Sequence, residues 1–166
     1  DEIVFAKLNA LGIQPALCSD AVFVRRVYLD IVGRIPTAEE ARTFLQDNNP
    51  NKRVALVDHL LDQPEHADYW AMKWGDILRI KAEFPVVVWP NAAQAYHRYV
   101  WDSIAQNKRY DQFVRELLTS SGSNFRDGAV NFYRAVQSKK PEGIASVVAL
   151  TLMGSRIDSW PEERRA

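Results

Sequence analysis

Only one stretch of the 166-residue chain reads as a β-strand, the β-branched centre of AEFPVVVWPN, Ala82 to Asn91. Prolines bound it, and a lone strand has no neighbour to satisfy its backbone N–H and C=O groups. The stretch is therefore an extended loop, and every other apolar segment must be buried by helices. The predicted fold is all-α: a single-domain bundle of about eight helices with short connections and this one extended Pro-bounded loop.

The helix signals follow one another along the chain. Glu2 to Leu11 form a first helix ended by Gly12, because glycine enters the left-handed conformation at little cost. Ser19 or Asp20 caps a second, running to about Val32 and stopped by Gly33 and Pro36. Thr37 and Glu40 have the T-x-x-E spacing of a capping box and open a third helix through Gln46. Pro50 suits the first position of a fourth, with Val54, Val57, Leu60 and Leu61 on one side. Pro64 starts a fifth, on which Ala67, Trp70, Ala71, Trp74, Ile77 and Leu78 share one face while Asp68, Asp76 and Arg79 lie opposite. Trp70 and Trp74 are thus predicted core residues. Further helices are expected at about Ala92 to Gln106, Asp111 to Thr119 with Asp111 as its cap, Ala129 to Val136, and Glu142 to Met153 closed by Gly154, with the SSGSNFRDG segment a mobile loop. The terminal PEERRA reads as a helix cut just after its start, near 161–166. Residues 1–166 are accordingly expected to be one helical domain excised from a longer, multi-domain protein.

The second helix carries charges among apolar neighbours. On a wheel of 100° per residue Phe23, Val24, Val27, Tyr28 and Ile31 share a broad apolar sector, and Arg26 and Asp30 fall side by side at its border. Four residues apart, they can meet as a structural ion pair, and at least one is expected to be shielded from water. On that reading Asp30→Ala should lower stability by about 2 kcal/mol or more.

Composition excludes several function classes. Lysine plus arginine equals aspartate plus glutamate at 21 each, so no net field favours nucleic acid or an anionic bilayer. The longest apolar runs, such as VVALTLM, fall far short of the roughly 20 residues that span a membrane, so no membrane insertion of this segment is expected. Cys18 is the only cysteine, which removes internal disulfides, four-cysteine zinc sites and C-x-x-C-H haem attachment. The stretch DHLLDQPEH gathers metal-capable side chains, but Pro64 puts His59 and His66 on different helices. No metal and no cofactor are therefore predicted. His97 sits among aromatic residues as a hydrogen-bonding residue, and the serines of TSSGSN lack the G-x-S-x-G elbow. No catalytic residue is assigned. Trp89 in the proline-bounded loop is the tryptophan expected to be exposed, and with Arg79 and Asp76 it makes the candidate binding set.

Three stretches together carry a family resemblance: DAVFVRRVYLDIVGRIPTAEEARTFL, KRVALVDHLLDQPEHADYWAMKWGDILR and NAAQAYHRYVWDSIAQNKRYDQFVRELL. The chain resembles, over nearly its whole length, the helical domain of unknown function of the planctomycete-type cytochrome-associated proteins, the PSCyt group. That resemblance implies a multi-domain protein of the periplasm or cell envelope, with a c-type haem domain upstream, an uncharacterised domain downstream, and no established activity. Many members place C-x-x-C-H soon after the last helix; here the corresponding LMGSRIDSWPEERRA has neither cysteine nor histidine. Covalent haem is therefore not expected in this segment.

The first function hypothesis is a non-catalytic helical scaffold or interaction module of an exported protein. Its partners would be neighbouring domains of the same full-length chain, including a cytochrome domain, or a glycan or protein. The second is an enzyme acting on envelope or extracellular polysaccharide, with acid and base drawn from Asp68, Asp76, Asp111 or Glu116; it requires two carboxylates about 5 to 10 Å apart in a deep pocket. The third is a haem-associated module that lacks haem itself.

Overall fold

A computed structural model of the protein describes residues 2–82 and 88–157. Its elements are α1 (Glu2–Ala10), α2 (Asp20–Ile31), α3 (Ala38–Gln46), α4 (Lys52–Leu61), α5 (Pro64–Ile77), α6 (Pro90–Ala105), α7 (Tyr110–Thr119), a 3-10 turn over Gly128–Val130, α8 (Asn131–Ala135) and α9 (Pro141–Met153). No strand occurs among the described residues. The fold is all-helical among the described residues, as the lone strand-like stretch implied; residues 83–87 of that stretch lie outside the described residues, while Val88 is buried and Trp89 exposed. The truncated helix expected near 161–166 also lies outside them. Contacts gather the chain into two compact units, residues 1–61 and 62–166.

In the first unit the buried cluster is Val24, Val27, Tyr28, Val32, Phe44 and Leu60. The Ser19 hydroxyl accepts from the Val22 amide at the start of α2, and Gly33 takes φ 73° just after its end. Both limbs of the Thr37–Glu40 capping box form, at 3.2 and 2.7 Å. A bidentate pair from Arg34 at 2.8 and 2.9 Å completes it. Asp20, in the first turn of α2, accepts Lys52 and Arg53, each at 2.7 Å, from the first turn of α4. Arg53 also donates to the Cys18 carbonyl at 2.7 Å, and Lys52 to the Asp47 carbonyl at 2.9 Å just past α3. One carboxylate and two cations thereby fix where α2, α3 and α4 meet.

Arg26 and Asp30 do not form the predicted pair: both are exposed, and no ion pair joins them among the described residues. With Val22 they make an exposed stripe of residues four apart, while Val24, Val27 and Tyr28 face the core. In water, a basic-before-acidic pair gains too little to fix two long side chains. Asp30→Ala is now expected to leave the unfolding midpoint within about 0.5 kcal/mol of the parent, because an exposed carboxylate in the last turn of a helix contributes nothing favourable to the dipole. A destabilisation of 2 kcal/mol in a urea titration would restore the buried-pair reading.

Glu40 gives the unit a defined pH response. The Arg34 guanidinium, first, and the Thr37 groups hold its carboxyl at about 2, against an ordinary 4.5, although burial pushes the other way. A depressed folded pKa means that the stabilisation is present above about pH 4.5 and is lost as pH falls toward about 2. An NMR titration of the Glu40 side chain should show that low midpoint, and Arg34→Ala should return it toward the ordinary value.

The α4 expectation needs adjustment. Pro50 lies in a turn and the helix begins at Lys52; only Leu60 is fully buried, Val57 is half-buried, and Val54 and Leu61 are exposed.

The second unit buries Ala71, Leu78, Val88, Ala92, Tyr96, Val100, Phe113, Leu117, Ala129, Phe132, Ala135 and Leu152. On α5 the buried stripe is Ala67, Ala71 and Gly75, continued by Leu78. The core covers this narrow strip of the helix and leaves the tryptophan flank at its edge. Trp70 and Trp74 are half-buried, Trp74 packed against the core cluster as expected and Trp70 outside it, and Ile77 is exposed. Asp111 is not the cap of α7 but lies in its first turn, after Arg109. The expected helix from 129 to 136 is a 3-10 turn followed by the short α8. The α9 stop at Gly154 is as expected, with φ 64°.

A polar cleft beside the 120–128 loop as the candidate functional site

Three parts of the second unit meet around a cleft of about 580 Å³: the outer face of α6, α7, and the loop that leads into the 3-10 turn. From α6 come Arg98, Tyr99 and Asp102; from α7, Glu116; from the loop, Phe125 and Arg126. That volume lies within the roughly 300 to 1,000 Å³ of small-ligand pockets.

The loop is tied down on both sides, which the sequence reading of SSGSNFRDG as a mobile segment did not anticipate. Asp127 accepts from the Ser123 amide at 2.9 Å. Buried Asn131 donates its side-chain amide to the carbonyls of Asn124 at 2.8 Å, Gly128 at 3.1 Å and Ala92 at 3.3 Å, stitching the loop to α6. Gly128 lies so close to α6 that an added Cβ would run into the Ala95 carbonyl oxygen and lie 2.6 Å from the Tyr99 Cβ. The cleft wall is therefore built by short-range backbone contact.

Its charges divide into engaged and free groups. Lys108 pairs with Glu116 at 2.6 Å, and Gln112 donates to the same carboxylate at 3.0 Å. Burial pushes the Glu116 carboxyl up, but the bonds from Lys108 and Gln112, with the Tyr99 hydroxyl nearby, outweigh it and hold the group below its ordinary value. The Tyr99 hydroxyl donates to the Phe113 carbonyl at 3.2 Å, and its ring stacks on Phe113 under the Lys108 ammonium. Burial, then the neighbouring Glu116 charge, push the Tyr99 phenol far up, so it stays protonated. Arg98, Asp102 and Arg126 have no ion-pair partner among the described residues. Arg98 and Arg126 are exposed, Asp102 is half-buried, and Phe125 shows 52 % of its surface.

A second, smaller pocket of about 230 Å³ is lined by Trp70, Trp74, Tyr110 and Phe113 with Lys108 and Asn107 at its polar side. Trp74 meets Phe113 edge-on at 5.4 Å and lies 6.2 Å from Tyr110. Trp70 in turn packs against His66 and Tyr69, so each tryptophan is engaged by its own aromatic neighbours.

The predicted binding set is placed as follows. Trp89 is 66 % exposed at the N-cap of α6, Asp76 is exposed in the last turn of α5, and half-buried Arg79 follows that helix with φ 58°. None of the three lines the α6–α7 cleft. Arg98, Asp102 and Arg126 were not singled out from the sequence, because scattered charges on a helix and in a loop have no spacing that marks them. Of the carboxylates considered for catalysis, Asp68 accepts the Trp101 indole N–H at 2.7 Å, Asp111 pairs with Arg109 at 3.1 Å, and only Glu116 reaches the cleft. Among the described residues no group of three or more His, Cys, Asp or Glu gathers to hold a metal ion. No helix among them is long and apolar enough to cross a membrane.

Fold and cleft define an all-helical protein with a polar cleft on its second unit. The chain belongs to the family described as PSCyt2, protein of unknown function (DUF1549), which matches residues 1–157. No curated protein and no solved structure matches it.

Proposed function

We propose that the chain is a non-catalytic interaction module of a cell-envelope protein, presenting the α6–α7 cleft to a ligand or a partner. The observation that carries this reading is the state of Glu116. It is the one carboxylate of the catalytic shortlist that lines the cleft, and it is engaged by Lys108 and Gln112 and held ionised. A general acid needs a raised pKa, which Glu116 does not have, and a base or nucleophile needs a free carboxylate oxygen, whereas the Glu116 oxygens are taken by Lys108 and Gln112. The free groups, Arg98, Asp102 and Arg126, suit recognition through charge and hydrogen bonding. Neighbouring domains of the full-length protein, a c-type cytochrome domain among them, are the further partners this reading assigns, and the envelope is its compartment.

The test is a side-by-side assay on purified protein. Incubated with peptidoglycan and with acidic and neutral polysaccharides, it should release no new reducing ends, and Glu116→Gln should behave identically. Reducing ends that appear with the parent and vanish in Glu116→Gln would replace this reading with a glycoside hydrolase. Fractionation of the native host should place the full-length protein in the envelope.

A further inference from the structure

We infer that the α6–α7 cleft is a site for a sugar acid, a polyhydroxylated ring bearing a carboxylate, either free or as one residue of an acidic polysaccharide. This assignment rests on the non-catalytic reading above and adds the ligand's chemistry to it.

The free charges on the cleft decide the class. Two guanidiniums with no ion pair among the described residues, Arg98 from α6 and Arg126 from the loop, border one cavity, and guanidinium is the side chain whose planar fork fits a carboxylate. A polyanion that carries no hydroxyl donors, such as an acidic peptide, meets Asp102, Glu116 and Asp127 with like charge at close range and with no donor to offset it. A sugar acid turns that conflict into a fit, because its hydroxyls donate to the same carboxylates while its single carboxylate takes the arginines. Ser120 adds a further hydroxyl to the cleft wall. Phe125, half exposed on the loop, offers the flat apolar face against which the C–H side of a pyranose packs. Arg98 sits on α6, and Arg126 and Phe125 sit on a loop already fastened by Asp127, Asn131 and the close approach at Gly128, so little backbone ordering is left to oppose binding.

The probes are galacturonate, trigalacturonate, its methyl-esterified form and a hexaglutamate peptide, titrated into the full chain and followed by NMR and calorimetry. Trigalacturonate or galacturonate should bind with shift changes at residues of the cleft, and esterification should weaken binding at least tenfold. Tighter binding of the trimer than of the monomer identifies a polymer residue as the ligand; equal binding identifies the free sugar acid. Arg126→Gln and Arg98→Gln, both at exposed positions, should each lower affinity about tenfold without changing the unfolding midpoint, with Arg126→Lys in between. Equal binding of the ester, equal binding of hexaglutamate, unchanged affinity in both glutamine variants, or no binding of either sugar acid would each overturn the assignment. Failure of the sugars to bind, with no reducing ends released, leaves the interaction module standing and removes only this ligand class. Binding accompanied by hydrolysis overturns the non-catalytic reading and keeps the ligand.

Discussion

Asn131→Asp should be the most damaging single-atom exchange in the second unit, worse than Asn131→Ala. The Asn131 side chain is fully buried, and its amide N–H groups serve three carbonyls, those of Ala92, Asn124 and Gly128. Alanine deletes the donors and strands buried acceptors, at about 1 to 3 kcal/mol for an unmade buried hydrogen bond, so a loss of about 3 kcal/mol is expected. Aspartate keeps the shape but points carboxylate oxygens at carbonyl oxygens and buries a charge without a counter-ion, which adds to that loss. Among the described residues the Asn131 Oδ1 atom accepts no hydrogen bond, and the three contacts the side chain makes are all through its amide donors. Urea titrations at pH 7 should rank parent, alanine, aspartate in falling stability. Aspartate as stable as the parent would mean that the loop is not held through these donors.

Gly128→Ala should cost about 3 kcal/mol, at the upper end of what overpacking does. The reason is the approach of the 3-10 turn to α6: a Cβ at this position has no room between the Ala95 carbonyl and the Tyr99 Cβ. The backbone carbonyl cannot rotate away without breaking the helix, so the loop must move. Denaturant unfolding should show the loss, and amide shifts of residues 123–129 should move with it. Contrast comes from Gly75, which is buried in α5 yet has no atom within 4 Å of an added Cβ, so alanine there should be accepted. A midpoint unchanged in Gly128→Ala would show that the loop does not lie against α6 in solution.

These two residues show why the candidate site was only partly legible. Asn131 reads as an ordinary polar residue at a helix start, and Gly128 as one glycine of a loop. Their roles depend on Ala92, Ala95 and Tyr99, which are about 30 to 40 positions away along the chain and adjacent in space. Trp89 was read correctly as exposed, because a tryptophan between a β-branched run and a proline at the head of a helix has no helical neighbours to cover it. Trp70 and Trp74 were placed too deep for the opposite reason. Their spacing puts them beside Ala67 and Ala71, but the apolar face of α5 is wider than the strip the core covers, so Ala67, Ala71 and Leu78 are buried while the two indoles stay half-buried at its edge.

The same division holds for the charges. Sequence by itself determined the helices and most of their ends, because capping boxes, N1 prolines and left-handed glycines act within a turn: Thr37 with Glu40, Pro64, Gly33 and Gly154 are all where local chemistry puts them. Local spacing also suggested Arg26 with Asp30, two charges one turn apart. Tertiary structure made other pairs, Asp20 with Lys52 and Arg53, and left Arg26 and Asp30 to water. A pair within a helix is available in the unfolded chain's own geometry and gains little on folding. Charges 32 and 33 residues apart meet only once α2 and α4 have packed, and partial burial there makes the contact count.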